Sequence, residues 1–198
     1  MKALTKYQLK KVSKNLDKYF NLATSEDIKQ GKQWYKDANE ICEDIAGRYD
    51  TDTITAAQVI SALSPRNKWK QNILDAYTIF DAVQDGLSPE DIKVCTFHTN
   101  KFKAFNIAKS KTTITDKSLK TYNFCKNIAN LCAESLTIDI WHLRACMDKL
   151  IKIDNASIGR LAYGQIKKLT IKKAEKLGLK GYELQAILWL TIQKNYGI

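Results

Sequence analysis

Apolar residues recur along most of this chain at intervals of three and four, the spacing of a helix with one buried face. Leu4, Tyr7, Val12, Leu16 and Tyr19 predict a first helix over 2–22, with lysines between them. Thr24 or Ser25 is placed to cap a second helix, with Glu26 and Asp27 in its first turn and Ile28, Trp34, Ile41, Ile45 and Tyr49 as its apolar face. Residues 50–52 break that pattern. Thr55 with Gln58 has the form of a capping box for a short helix through Leu63, which Ser64-Pro65 ends. Trp69, Ile73, Ala76, Phe80 and Val83 predict a longer helix, stopped by Gly86. Ser88-Pro89-Glu90-Asp91 has the composition of a helix start, and another short helix is expected near Asn100. A lysine- and threonine-rich stretch over 109–117 precedes a helix predicted over 118–133. Asp139 stands where a cap is expected, ahead of Leu143, Cys146, Met147 and Leu150. Two or three helices complete the chain; Gly178 and Gly181 bracket the last break, and 182–196 is apolar on most sides, as in a buried helix. The best strand signal is the short run 136–140.

Composition supports an all-α fold. The 198 residues include only 2 prolines and 8 glycines, and the 44% apolar content is enough for one filled core or two small helical lobes. The net charge of +11 points to polyanionic partners, nucleic acid first and an anionic membrane surface second. Arg48, Arg66, Arg144 and Arg160 are the only arginines. Lysine neutralises phosphate but lacks the planar fork that reads guanine, so the charge favours backbone binding over sequence reading. Cys42, Cys95, Cys125, Cys132 and Cys146 contain no C-x-x-C pair and are expected to be reduced thiols in a cytoplasmic protein. No apolar run follows the N-terminal lysines, so no secretory signal is expected, and the longest apolar stretch is too short to span a bilayer. Richness in lysine, asparagine and isoleucine suggests an AT-rich genome, as in a bacteriophage or a low-GC bacterium.

The most informative residues are Lys117-Ser118-Leu119-Lys120-Thr121 and, after a predicted helix, Thr137-Ile138-Asp139-Ile140-Trp141-His142-Leu143-Arg144. This order resembles the helix-hairpin-helix DNA glycosylase superfamily, in which a hairpin ending G-x-K-T leads through a helix to an apolar-V-D-T-H-x-x-R segment. Lys120 and Asp139 are 19 residues apart, close to the family spacing. Ala57-Gln58-Val59-Ile60-Ser61-Ala62-Leu63-Ser64 is similar to the family's early helix with its DNA-facing turn, and Lys103-Ala104-Phe105-Asn106-Ile107 to the helix before the hairpin. The resemblance covers about 52–150. It implies a two-lobed helical glycosylase-type domain over 1–198, with 1–50 and 151–198 packing as the second lobe. Three departures stand out. The hairpin stretch 115–119 has no glycine to let backbone amides approach a phosphate. His142 is displaced by one residue. The four-cysteine cluster of some members is missing, so no iron–sulfur centre is expected.

The resemblance implies an enzyme that flips and excises a damaged or modified base from double-stranded DNA. Asp139 would stabilise the positive charge that develops on the sugar and orient a nucleophile; the competing reading is a plain helix cap. Lys120 would be an amine nucleophile, partly desolvated among other cations, giving a Schiff base and lyase activity; the competing reading is one more solvated lysine. Arg66 and Asn67, with Lys68, form a polar turn suited to filling the gap left by an extruded base. Lys101, Lys117, Ser118, Thr121, His142 and Arg144 are candidate DNA contacts, with a satisfied, partly buried histidine the equal alternative for His142, and Tyr122 and Trp141 are candidate stacking partners for the base, although aromatics at such spacings are more often core. No cofactor and no transition metal are expected; a monovalent cation at the hairpin is the one ion considered. Three alternatives stand beside this reading: a non-catalytic DNA-binding or inhibitory module, an enzyme of modified-thymine metabolism on the same scaffold, and a helical RNA-binding or protein-interaction module.

Overall fold

A computed structural model describes residues 3–152 and 157–197. Nine helices and no strand occur among the described residues, so the chain is all-α. The backbone divides into two compact units, one built from 1–37 with 133–198 and the other from 38–132. The central unit is thus shorter at its C-terminal end than the 52–150 segment singled out by resemblance, and Asp139 belongs to the unit formed by the chain's two ends.

In the first unit, α1 (Lys6–Asn21) starts at a capping box. The Thr5 hydroxyl accepts from the Gln8 amide at 3.2 Å, and Gln8 accepts from the Thr5 amide at 2.9 Å. Val12, Leu16 and Tyr19 are buried, but Tyr7, expected on the same face, is 78% exposed. It lies about 130° around the helix from the middle of the buried row, because residues advance by about 100° each. α2 (Ser25–Arg48) is capped by Thr24 and Asp27, and its residues up to Asp37 belong to this unit. Its buried side is Asp27, Gly31 and Tyr35, while Ile28 and Trp34 are half-buried. α7 (Ile140–Met147), α8 (Arg160–Lys176) and α9 (Gly181–Asn195) complete the unit, with α9 packed on α1, α7 and α8. Gly178 adopts a positive φ of 68° after α8, and Leu179 bonds back to the Ala174 carbonyl at 2.9 Å, closing the turn into α9.

In the second unit, α3 (Thr53–Leu63) is the hub. Ala56, Ala57, Val59, Ile60, Ala62 and Leu63 are all buried, and α4 (Trp69–Gln84), α5 (His98–Ala108) and α6 (Leu119–Asn130) pack on it. Its cap is Asp52, whose carboxylate accepts from the Thr55 amide and hydroxyl at 2.8 and 2.7 Å. The expected Thr55–Gln58 box does not form. Asp52 precedes Thr55 by three residues and wins because an ionised acceptor makes the stronger cap bond. Gln58 reaches instead to the segment before α6, accepting from the Ile114 amide at 2.7 Å and from the Thr113 hydroxyl. Ser88-Pro89-Glu90-Asp91 makes only a turn. Asp91 accepts from the Ser88 amide and hydroxyl, and the chain then runs without helix to α5.

Candidate active site and nucleic-acid interface

Residues 135–138 form a buried segment, neither helix nor strand, leading to α7. Tyr163 of α8 anchors it twice: its hydroxyl donates to the Leu136 carbonyl at 2.8 Å and accepts from the Ile138 amide at 3.1 Å. Tyr35 is buried beside it, donates to Gln185 at 2.8 Å and has the Thr137 hydroxyl as a further hydrogen-bond partner. Burial raises the Tyr35 phenol above its ordinary value, the Thr137 bond opposes that, and the nearby Asp139 charge adds to it. Asp139 follows directly. Its carboxylate accepts from the His142 amide at 2.8 Å as the N-cap of α7, and the residue is half-buried. The segment therefore delivers one carboxylate, with a fixed backbone, to the edge of a buried polar cluster. Tyr35, Thr137, Tyr163 and Gln185 escaped sequence reasoning. The signal was a threonine placed between two apolar residues, Leu136 and Ile138, which requires an internal polar partner.

The side chains just beyond Asp139 are internal. His142 is 1% exposed and its Nε2 lies 3.2 Å from the Thr170 hydroxyl, while burial lowers its imidazole to about 4. It is therefore a neutral core residue, and its expected role at DNA phosphate is corrected. Arg144 is also buried. Its guanidinium donates twice to the Ile151 carbonyl, at 3.1 and 2.9 Å, and stacks over Trp141 with 4.2 Å to the ring centroid. Arg144 is thereby withdrawn from phosphate, and Trp141 presents to it the face that was expected to stack on a base.

The His142 burial gives a pH prediction. The unfolded imidazole protonates near its ordinary 6.5 and the folded one only at about 4, so the unfolded chain binds more protons between those values. Stability is full above pH 6.5 and falls as pH drops toward 4. Urea midpoints at pH 7.5 and 5 should differ in the wild type and differ less in His142→Gln. An equal drop in both would assign the acid sensitivity elsewhere.

On the second unit, Lys117, Ser118 and Lys120 are exposed around the start of α6, and the Thr121 hydroxyl bonds back to the Ser118 carbonyl at 3.1 Å. Since Lys120 is exposed, the partial desolvation expected of it is absent. Tyr122 is half-buried under the Lys126 ammonium, 5.5 Å from its ring centroid. In the 64–68 turn, Arg66 is exposed with a left-handed φ of 60° and lies 5.5 Å from the ring centroid of Phe97, itself 48% exposed. Asn67 does not point outward as expected. It donates at 2.8 Å to Asp75, a buried carboxylate that also receives Gln71 and the Cys95 amide and so ties the turn to the 92–97 loop. Lys68 is exposed, and Lys101 is held by the Ile92 carbonyl at 3.0 Å.

Charge separates along this unit. Residues 38–92 contain four lysines and arginines against ten acids, whereas 93–132 contain eight lysines against one acid, Asp116. The cationic part is the one that carries α5, the glycine-free hairpin stretch and α6. No group of three or more histidine, cysteine or acidic side chains suited to a metal occurs among the described residues, and no helix there is long and apolar enough to cross a membrane.

Burial pushes the Cys42 and Cys125 thiols up to about 12 and raises Cys146 as well, while Cys95 is exposed. With a thiol reagent at pH 8, Cys95 should react fastest in the native protein, and those three only on unfolding. Rapid native labelling of Cys42 or Cys146 would contradict the packing.

A family profile matches residues 1–196. The chain belongs to DUF7178, a family of unknown function. The match runs through both units, so the DUF7178 architecture includes the Asp139 segment and the cationic helices together. No curated protein and no solved structure matches the chain.

Proposed function

We propose that this DUF7178 protein binds duplex DNA and excises a damaged or modified base, with Asp139 as the carboxylate that stabilises the sugar cation. The observation that carries the reading is the placement of Asp139: half-buried, at the N-terminus of α7, on a segment fixed from behind by Tyr163. Loss of a base leaves positive charge on the deoxyribose, and a preoriented carboxylate lowers that barrier without reorganising. The helix end also favours the ionised form. The concentration of lysine over 93–132 supports a phosphate-backbone partner. After base release, the Lys120 amine, its ammonium proton first given to solvent, would condense with the aldehyde carbon of the open-chain abasic sugar; the nitrogen bonds that carbon as its oxygen leaves as water, which gives a Schiff base.

One observation favours a second reading, a DNA binder without chemistry: the bond from the His142 amide already gives Asp139 a structural task as a cap. Base release from duplexes carrying a panel of lesions and modified bases separates the two. An enzyme releases at least one base; a binder retains all of them and still shows steep salt dependence. Borohydride should cross-link the wild type to substrate DNA and fail to do so with Lys120→Ala. Cross-linking undiminished in that variant would remove Lys120 from the chemistry.

A further inference from the structure

The first unit holds most of the chain's excess charge, with 20 lysines and arginines against 10 acids, while the second holds 12 against 11. Within the first unit, α1 and α8 pack side by side and run in the same direction. Leu4 exchanges two backbone hydrogen bonds with the Gln165 amide, at 2.7 and 3.1 Å, and further along Asp17 pairs with Lys173. On α1 the buried row is Val12, Asn15, Leu16 and Tyr19, and Lys6, Lys10 and Lys14 follow one another at four-residue spacing on the opposite side. On α8 the buried row is Ala162, Tyr163, Ile166, Thr170 and Ala174, and Lys168, Lys172 and Lys176 repeat the same spacing outward. All six lysines are exposed.

Like charges four residues apart cost a helix about 0.2–0.5 kcal/mol per pair. Each row contains two such pairs. Lys18 and Lys173, at the margins, are matched to Asp148 and Asp17; among the described residues none of the six ridge lysines is ion-paired, and Asp17 and Glu175 are the acids on the same faces. Each row rises about 12 Å, and neighbouring helix axes lie about 8–10 Å apart. A duplex strand presents one phosphate per about 3.4 Å of axis, so each row spans about three phosphates.

We infer that the paired lysine ridges of α1 and α8 form a phosphate-backbone docking surface for duplex DNA, separate in sequence from the 93–132 lysines. This rests on the DNA-binding reading above but not on its chemistry. A bilayer is the poorer occupant. Membrane-surface helices bury an apolar face among acyl chains, and here the apolar faces of both helices are already in the core. Tyr7, 78% exposed, and Leu161, 67% exposed, are the large apolar side chains left outside on these two helices.

The test compares two quadruple variants of the full chain. Lys10→Gln, Lys14→Gln, Lys168→Gln and Lys172→Gln removes the ridges. Lys29→Gln, Lys32→Gln, Lys36→Gln and Lys180→Gln removes the same charge from exposed positions elsewhere in the same unit. Affinity for an unmodified duplex is measured against salt, with thermal melting as the folding control. The ridge variant should lose affinity at least about tenfold at low salt, and its log–log salt slope should shrink by about 3, since each neutralised phosphate contributes about 0.9. The control variant should change by less than a third of that. Equal losses in the two variants would reduce the effect to net charge and overturn the inference, as would an unchanged slope in the ridge variant. So would ridge-dependent binding to phosphatidylserine vesicles with DNA affinity intact. A failure of base release by the wild type with the ridge effect intact sinks the chemistry alone.

Discussion

Asp139→Asn should abolish base release while leaving the protein folded and bound to DNA. Asparagine caps a helix about as well as aspartate, so the bond from the His142 amide survives and stability should change by less than about 0.5 kcal/mol. The lost quantity is the full negative charge beside the sugar. Positioned acid–base groups contribute about 10²- to 10⁴-fold, and single preorganised electrostatic partners about as much. Single-turnover release by the variant should therefore fall by at least about 100-fold with duplex affinity within about twofold of wild type. A variant that keeps its rate shows that Asp139 is a cap and nothing more. A variant that loses rate and melting temperature together shows that the fold, rather than the charge, was removed.

Gly31→Ala should be the most damaging single methyl in the first unit. A Cβ at Gly31 would stand 2.7 Å from the Ile187 amide nitrogen and 2.8 Å from its Cα, as well as 2.4 Å from Cγ1. The first two atoms are backbone of α9, so no rotamer change relieves the contact, and α2 must move away from α9. Overpacking of this kind costs about 1–3 kcal/mol. Alanine's better helix propensity returns about 1 kcal/mol, and a backbone-on-backbone clash lies at or beyond the upper end, for a net loss of about 2 kcal/mol. At about 2–4 °C per kcal/mol for a chain of this size, the melting temperature should drop by about 4–8 °C. Gly181→Ala supplies the comparison: its new methyl meets chiefly the Ile171 side chain, at 2.8 Å, which can rotate. A Gly31→Ala protein as stable as the wild type would mean that α2 and α9 are not in this close contact.

The helices were legible because their apolar spacing is local. Val12, Leu16 and Tyr19 had to share a face, and the near-continuous apolar run of α3 had to be enclosed. What misled were signals that several residues could satisfy. Asp52 and Thr55 both qualify as caps, and only the folded backbone shows the carboxylate accepting from the threonine. Ser88-Pro89-Glu90-Asp91 has every feature of a helix start, yet no apolar periodicity follows it to supply tertiary packing, and the carboxylate closes a turn instead. Asp139 was identified as a cap from its position alone, and the structure makes it one. Its supporting cluster was not foreseen, because Tyr35, Thr137, Tyr163 and Gln185 come from four separate stretches of the chain. His142 and Arg144 looked like phosphate ligands by composition and proved internal, since α7 is enclosed on all sides over 142–146.

The most direct measurement uses a duplex whose target nucleotide is replaced by a pyrrolidine, a cationic mimic of the sugar in the transition state. A catalyst binds such a mimic more tightly than a neutral abasic analogue, commonly by 10²-fold or more. The wild type should prefer the cationic duplex by at least about 100-fold, and Asp139→Asn should lose most of that preference while binding the neutral duplex as before. Equal affinity of the wild type for the two duplexes, or a preference undisturbed in Asp139→Asn, would contradict the assignment of Asp139 to the sugar cation.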